Sequence, residues 1–277
     1  MDKLSAVLNQ FSITTGVFYS GKLCGTSSFD STKEQEGHLH FLESGSMRVT
    51  TPSGKLLNIT EPSVLFYPKP SVHELRAEQG DDANVVCATI RYGTGSNNPL
   101  ANALPPFVAI TLSDDVALKN TAQWLFEEAL QKRQGREAIM NRLTEIFLIT
   151  LLRHAMDSDL VDQGLLTGLA HPQLAKVITA LHARPSENWT LQEMASLATM
   201  SRSKFIETFK EKVGYSPGDY LLEWRVGVAQ TLLKKGKPVG WVANEVGYEN
   251  ASALARVFRK KTGQSPREWL TLNQVAE

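Results

Sequence analysis

Apolar positions change their spacing twice along the chain. Between residues 17 and 92 they come in short runs, at 39–41, 47–49, 56–59, 64–66 and 85–90. Turn formers separate these runs: Glu43-Ser44-Gly45, Pro52-Ser53-Gly54 and Glu61-Pro62-Ser63. Short strands at this interval predict a small barrel or sandwich, for which a β-barrel is the natural closure. From residue 114 the period becomes helical. Ser113 is placed to cap a helix through Val116, Trp124, Leu125, Ala129 and Leu130; Gly135 breaks it, and Arg136 starts a second helix running to about His154. That second helix carries two apolar stripes, one of Ile139, Leu143, Ile146, Phe147 and Thr150, the other of Leu148, Leu151 and Leu152. One helix surface cannot absorb both. Either the helix packs between its barrel and its hairpin partner, or one face, assigned here to Leu148 and Leu152, meets a second subunit. Residues 158–170, with Gly164 and Gly168, read as a linker.

The last third contains a duplication. Met194-Ala195 through Ala198-Thr199 matches Val242-Ala243 through Val246-Gly247, and Phe209, Gly214, Pro217, Tyr220 and Leu221 match Phe258, Gly263, Pro266, Trp269 and Leu270 one residue further out of step. The extra residue falls in a turn, so both flanks still align. Each copy reads as helix, short turn, helix. Leu191, Met194, Ala195 and Ala198 recur at helical spacing, Ser201 caps a second helix, and Phe205, Phe209 and Val213 form its inward stripe. In the other copy Val239, Val242, Ala243 and Val246 precede the turn, Asn250 is the cap, and Leu254, Val257 and Phe258 make the stripe. This is the pattern of a helix-turn-helix unit, with a ligand-free helical bundle as the alternative. Between the copies, a helix from Pro217 to Gly236 of about 19 residues would span about 28 Å, approaching one turn of duplex at roughly 34 Å.

Charge sharpens this picture. The totals cancel, with 29 Lys and Arg against 29 Asp and Glu, but residues 171–277 hold 15 of the basic and only 10 of the acidic residues. The basic residues cluster on the second helix of each copy: Arg202, Lys204 and Lys210, then Arg256, Arg259, Lys260 and Lys261. A basic third beside an acidic remainder fits a polyanion partner, double-stranded DNA, for one domain alone. No apolar run approaches the roughly 20 residues a bilayer demands, and the start lacks a secretory pattern, so no membrane partner is expected. Two isolated thiols, Cys24 and Cys87, fit a reducing, cytoplasmic setting.

Three segments, W-T-L-Q-E-M-A-S-L-A-T-M-S-R-S-K-F at 189–205, G-Y-S-P-G-D-Y-L-L-E-W-R at 214–225 and V-G-Y-E-N-A-S-A-L-A-R-V-F-R-K-K-T-G-Q-S-P at 246–266, resemble the AraC-type transcription regulators. The resemblance implies a seven-helix domain with two helix-turn-helix units. It places Ser203, Lys204 and Glu207 toward the bases in the first unit, and Ala251, Ser252 and Arg256 in the second; Ser201, Arg202, Asn250, Arg259 and Lys260 complete the DNA-facing set. The sequence departs from the pattern at Glu207, where many members have Arg, and at Thr199, a turn position often held by Gly. Glu207 either accepts from cytosine N4 or pairs with a neighbour such as Lys210, and the pairing is favoured. The family resemblance also implies a homodimer and a contact with RNA polymerase.

The stretches H-F-L-E-S-G-S-M-R-V at 40–49 and G-K-L-L-N-I-T-E-P-S-V-L-F-Y-P-K-P-S-V-H at 54–73 resemble the cupin-like sensor domains that often precede such a module. That implies a jelly-roll site for a small-molecule effector. His38, His40 and His73 are its candidate contacts, since alternate residues on a strand share a face. Where metal-binding cupins usually carry Glu, this chain has His38, so no cofactor is assigned. Three readings of the histidines stay open: effector contact, a metal site, or a structural role. As effector contacts, imidazoles titrating near pH 6.5 would hold an anion less well as pH rises.

These readings give an α+β multidomain protein: a cupin-like sensing barrel over 1–112, a helical dimerisation hairpin over 113–157, a linker over 158–170 and an all-α DNA-binding domain over 171–277. The function expected is a DNA-binding transcription regulator responding to a small effector. The rivals are a metal-dependent cupin-type enzyme and a partner-protein-binding module. No G-x-S-x-G, phosphate-binding loop, dinucleotide motif or carboxylate pair supports catalysis.

Overall fold

A computed structural model describes residues 2–93, 98–131, 133–158 and 160–274. The chain forms two compact units: residues 13–161, and residues 1–12 together with 162–277.

The first unit is the barrel and its hairpin. Nine strands, β1 (Ile13–Lys22), β2 (Gly25–Asp30), β3 (Gly37–Ser44), β4 (Met47–Thr50), β5 (Leu56–Ile59), β6 (Ser63–Tyr67), β7 (Val72–Ala77), β8 (Asn84–Tyr92) and β9 (Val108–Thr111), form two antiparallel sheets among the described residues. One has the order β1-β8-β3-β6-β9, the other β2-β7-β4-β5. The five runs read from the sequence are β3, β4, β5, β6 and β8. Between the sheets lies a core that includes Leu42, Met47, Val49, Leu65, Leu75 and Cys87. Both cysteines are free thiols, Cys24 exposed and Cys87 in this core, where burial pushes the thiol up to about 12. Strand β3 is buried on both faces. A short helix α2 (Pro99–Asn102) precedes β9.

Behind β3 pack the hairpin helices α3 (Val116–Leu130) and α4 (Arg136–Asp157). Phe41 meets Phe147 at a centroid distance of 4.7 Å and Phe126 at 6.3 Å, so one face of β3 seals against both helices. The N-cap of α3 is Asp115, whose carboxylate accepts from Ala117 and Leu118 N–H, and not Ser113, which lies in the preceding 3-10 turn. Asp115 also bonds His154 Nδ1 at 3.0 Å. The outward face of α4 differs from expectation too. Leu148 and Leu152 are buried, because α4 packs on both β1 and α3. Exposed instead are Ile139 (40%) and Ile146 (48%), seven residues apart and so two turns along one side.

The second unit is helical, with α5 (Leu165–Ala170), α6 (Pro172–Ala183), α7 (Leu191–Leu197), α8 (Arg202–Val213), α9 (Pro217–Lys234), α10 (Val239–Glu245), α11 (Ala251–Thr262) and α12 (Pro266–Gln274). The segment expected as a linker thus contains a helix, α5, whose Leu165, Leu166 and Leu169 are buried against α6 and α8. Residues 1–12, expected in the sensing domain, also belong here. Their helix α1 (Lys3–Gln10), capped by Asp2, ends in Phe11. The Phe11 ring is fully buried, edge-on to Trp224 at 4.9 Å, and a Cβ added at Gly227 would lie 2.8 Å from it. Gly227 is therefore where a bare backbone admits an aromatic ring. The hydroxyl of Thr231 donates to Gln10 carbonyl at 3.3 Å. On Trp224 lies His182, ring on ring, with its Nε2 2.6 Å from Tyr220 hydroxyl. None of the described helices is long and apolar enough to cross a membrane.

Two outcomes test this arrangement. Phe11→Ala should destabilise the helical unit by about 3–5 kcal/mol, the cost of an emptied aromatic site; amide exchange should accelerate in α6 and α9 while β3 and β8 stay protected. Loss of protection in the barrel, or none in α9, would contradict it. Burial also holds His182 down at about 3, below the 6.5 of a solvated imidazole. Between these values the unfolded chain takes up a proton that the folded chain refuses. The stability contributed by neutral His182 is thus complete above about pH 6.5 and falls on acidification, by at most about 1.4 kcal/mol per pH unit. Urea unfolding between pH 7.5 and 4.5 should show a smaller acid loss in His182→Phe than in the wild type.

Candidate functional site

Each half of the duplication folds by the same local rules. The first helix, α7 or α10, is 7 residues long and ends in a residue with positive φ: Thr199 at 55° in one copy, Gly247 at 79° in the other. The amide of Met200 donates to Ala195 carbonyl at 3.0 Å, and Tyr248 N–H to Ala243 carbonyl at 2.8 Å. A second bond in each turn, Thr199 N–H to Ser196 and Gly247 N–H to Asn244, completes a Schellman cap. Gly247 suits the left-handed backbone, and a Cβ there would strike Ser186 carbonyl at 2.7 Å. Thr199 holds the same conformation with a β-branched side chain, a strained choice for an L residue.

Ser201 and Asn250 then begin α8 and α11 as expected, accepting from Lys204 and Ala253 N–H at 3.4 and 2.9 Å. These two side chains are occupied as caps. Phe205 and Phe209, and Leu254 and Phe258, turn inward and are fully buried. That leaves Arg202, Ser203, Lys204 and Glu207 exposed on α8, and Ser252, Arg256, Arg259 and Lys260 exposed on α11, with Ala251 half-buried. Glu207 is ion-paired, but to Lys204 at 3.2 Å and not to Lys210, because the neighbour one turn back is in reach. Arg259, placed in the DNA-facing set, bonds Glu268 at 3.0 Å, and Lys261 bonds Glu223 at 2.6 Å. Among the described residues, Arg202, Arg256 and Lys260 carry no ion pair. The free basic groups of α11 are therefore Arg256 and Lys260, spaced one turn apart.

In the other unit the period of the strand brings the three histidines together. His38 and His40 leave β3 on the face opposite Leu39 and Phe41, and His73 comes from β7 in the other sheet. His40 Nε2 lies 2.8 Å from His73 Nε2, a bond that ties the sheets across the core. One ring nitrogen from each histidine lies within 4.8 Å of the other two. His73 is sandwiched between Tyr67 at 3.8 Å and Phe29 at 5.4 Å, and its Nδ1 meets Ser71 hydroxyl at 3.2 Å. The Nδ1 atoms of His38 and His40 and the Tyr67 hydroxyl are buried without a hydrogen-bond partner. Sequence spacing named the three histidines; it missed Tyr67 and Phe29, which the pairing of β3 with β6 and of β2 with β7 brings beside them, and Ser71, two residues before His73.

Burial disfavours the charged imidazole at all three. His38 is lowered, His73 is held at about 3, and His40, fully buried and facing the other two, lies well below its ordinary value. The rings are neutral through physiological pH. The expected weakening of anion binding as imidazolium is lost near pH 6.5 therefore has no basis in this site.

Residues 2–157 match the cupin family, and residues 194–271 match a helix-turn-helix domain family. The chain is 27% identical over 259 residues to an HTH-type transcriptional regulator of Haemophilus influenzae, covering 84% of this chain and 86% of that one. It is 32% identical over 200 residues to an AraC-like transcription regulator of Streptomyces lividans, covering 70% and 65%. Among solved structures it resembles ToxT of Vibrio cholerae, with a TM-score of 0.42, 12% identity, and coverage of 95% and 98%. The chain belongs to the AraC-type transcription regulators, with a cupin domain ahead of two helix-turn-helix units.

Proposed function

We propose that both recognition helices of this regulator, α8 and α11, read one duplex site, and that the cupin unit adjusts that reading to a small ligand held at His38, His40 and His73. The observation that carries the DNA reading is the repeated cap-turn-cap geometry, which ends twice in an exposed basic helix rigidly anchored by buried phenylalanines. Ser203 and Lys204 in the first unit, and Ser252 and Arg256 in the second, supply the base contacts, with Ala251 close enough for apolar contact. Arg202 and Lys260 face phosphate. Glu207 and Arg259 reach DNA only by exchanging their ion pairs, and Ser201 and Asn250 act through the backbone they cap. The barrel is a sensor and not an enzyme on this reading, supported by interior histidines that have no hydrogen-bonded carboxylate among the described residues. A cytoplasmic location and contact with RNA polymerase follow from the same role.

Arg256→Ala should cost roughly 1–3 kcal/mol at the specific site and relax preference at one base pair, whereas Lys260→Ala should weaken specific and random duplexes alike. Fluorescence anisotropy on both duplexes distinguishes them; equal losses for the two variants would remove this division of labour.

Dimerisation through the hairpin is the second element of the proposal. It is supported by Ile139 and Ile146, apolar and exposed on one side of α4, with Trp124 exposed on the neighbouring α3. Ile139→Glu with Ile146→Glu should convert a dimer to monomer in sedimentation velocity without lowering the thermal midpoint. An intact dimer would place the contact elsewhere.

A further inference from the structure

We propose that Arg225 is a positioning residue that fixes one recognition helix against the other, by clamping the turn of the second helix-turn-helix copy onto the loop that leads into the first. Helix α9 carries both copies, and each touches it in its own place: Phe209 of α8 packs on Tyr220 at 5.5 Å, and Lys261 of α11 pairs with Glu223 at 2.6 Å. Contacts of this kind hold each copy to the rod but do not join one copy to the other. Arg225 does join them. Its Nε donates to Pro185 carbonyl at 2.6 Å and a terminal nitrogen donates to Glu187 carbonyl at 2.8 Å, while the guanidinium lies 5.7 Å from the ring centre of Tyr248. A planar fork can hold two carbonyls of one loop and an aromatic ring at once.

What Arg225 grips moves with the recognition helices. On one side the loop is bonded forward into α7. Trp189 Nε1 donates to Arg184 carbonyl at 3.0 Å, Trp189 N–H to Glu187 carbonyl at 3.0 Å, and Thr190 and Glu193 close a capping box at the helix start. On the other side Tyr248 N–H closes the cap on Ala243, and Asn250, two residues on, caps α11. The copies meet backbone on backbone. A Cβ added at Gly247 would lie 2.7 Å from Ser186 carbonyl and 2.8 Å from the Arg225 guanidinium. The duplication supplies an internal control: Thr199, at the matching turn position of the first copy, keeps a β-branched side chain in the same left-handed backbone and is exposed. The turn alone therefore tolerates a side chain; the close approach of the two copies at Gly247 does not.

The orientation is a property of the free protein, and its consequence for DNA rests on the reading that α8 and α11 share one duplex. Nitroxide labels at Ser203→Cys and Ser252→Cys report the distance between the two helices by pulsed electron paramagnetic resonance. The full-length protein carries Cys24→Ser for this purpose, so that of the native thiols only buried Cys87 remains. One narrow distance distribution is expected in this parent, and a broadened one in Arg225→Ala and Arg225→Lys. Lysine keeps the stem and the charge but not the fork, so it carries the test if the alanine variant loses its fold; circular dichroism checks both. On DNA, a duplex selected with the wild type from a random pool is compared with the same duplex carrying one extra base pair between its halves, which are located where Lys204→Ala and Arg256→Ala relax preference. One base pair turns the halves by about 34°. It should weaken the wild type about tenfold or more but Arg225→Lys about threefold or less, because a loose link loses affinity on the matched site and gains tolerance of spacing. A role in stability alone would lower the thermal midpoint and leave that ratio unmoved. A broad distance in the parent, an unbroadened one in folded Arg225→Lys, or a broadened one with the full insertion penalty retained would each overturn the clamp. Broadened distances in the variants with no insertion penalty in the wild type keep the clamp and reject the reading of one duplex by both helices.

Discussion

A helix of two turns cannot persist in water, because nucleation is costly and too few bonds follow to offset it. The DNA-facing half of this protein depends on evading that limit twice. Helices α7 and α10 survive because a left-handed residue folds the chain back, and the carbonyls of Ala195 and Ala243 take the returning amide. The small side chains at those two positions let the second helix approach closely. Its aromatic residues then fill the interior, and the basic residues are left outside by elimination. Charge on the surface is thus a consequence of how the cap is closed.

Much of this was legible in the sequence. The duplication, the caps Ser201 and Asn250, the inward phenylalanines and five strands could be read from spacing alone. What failed did so for identifiable reasons. Strand β1 carries few strongly apolar residues because its surface is mostly half-exposed, so alternation is weak there. Helix α4 is buried on two sides, by its hairpin neighbour α3 and by β1 far away in sequence, so its inner and outer apolar residues could not be told apart. Ser113 and Asp115 are both good caps, and only the intervening 3-10 turn chooses between them. Helix α1 is short, and its partners lie more than 160 residues away, as the bond from Lys3 to Leu169 shows.

The histidine cluster makes a different point about reading chemistry from residue type. Period two on β3 was enough to place His38 and His40 on one side. It could not reveal that the same side is sealed by Tyr67 and Phe29. Exposure, not identity, decides whether imidazole titrates, and here the seal removes the charge that makes histidine a pH sensor elsewhere. What remains is a set of neutral donors.

The assignment of Phe11 to the helical unit has a consequence for biosynthesis. The barrel is topologically an insertion: the chain enters it from one part of the helical unit and leaves it into another. Its partners Trp224 and Gly227 are made more than 200 residues after Phe11. At roughly 5–20 residues per second, the emerging segment waits about ten to forty seconds for them. During that interval residues 13–161 are complete and can close, so on the ribosome the cupin unit forms while the N-terminal segment stays unpartnered, available to chaperones and to proteases. The two units are therefore made in an order fixed by topology, with Phe11 among the last residues to be buried.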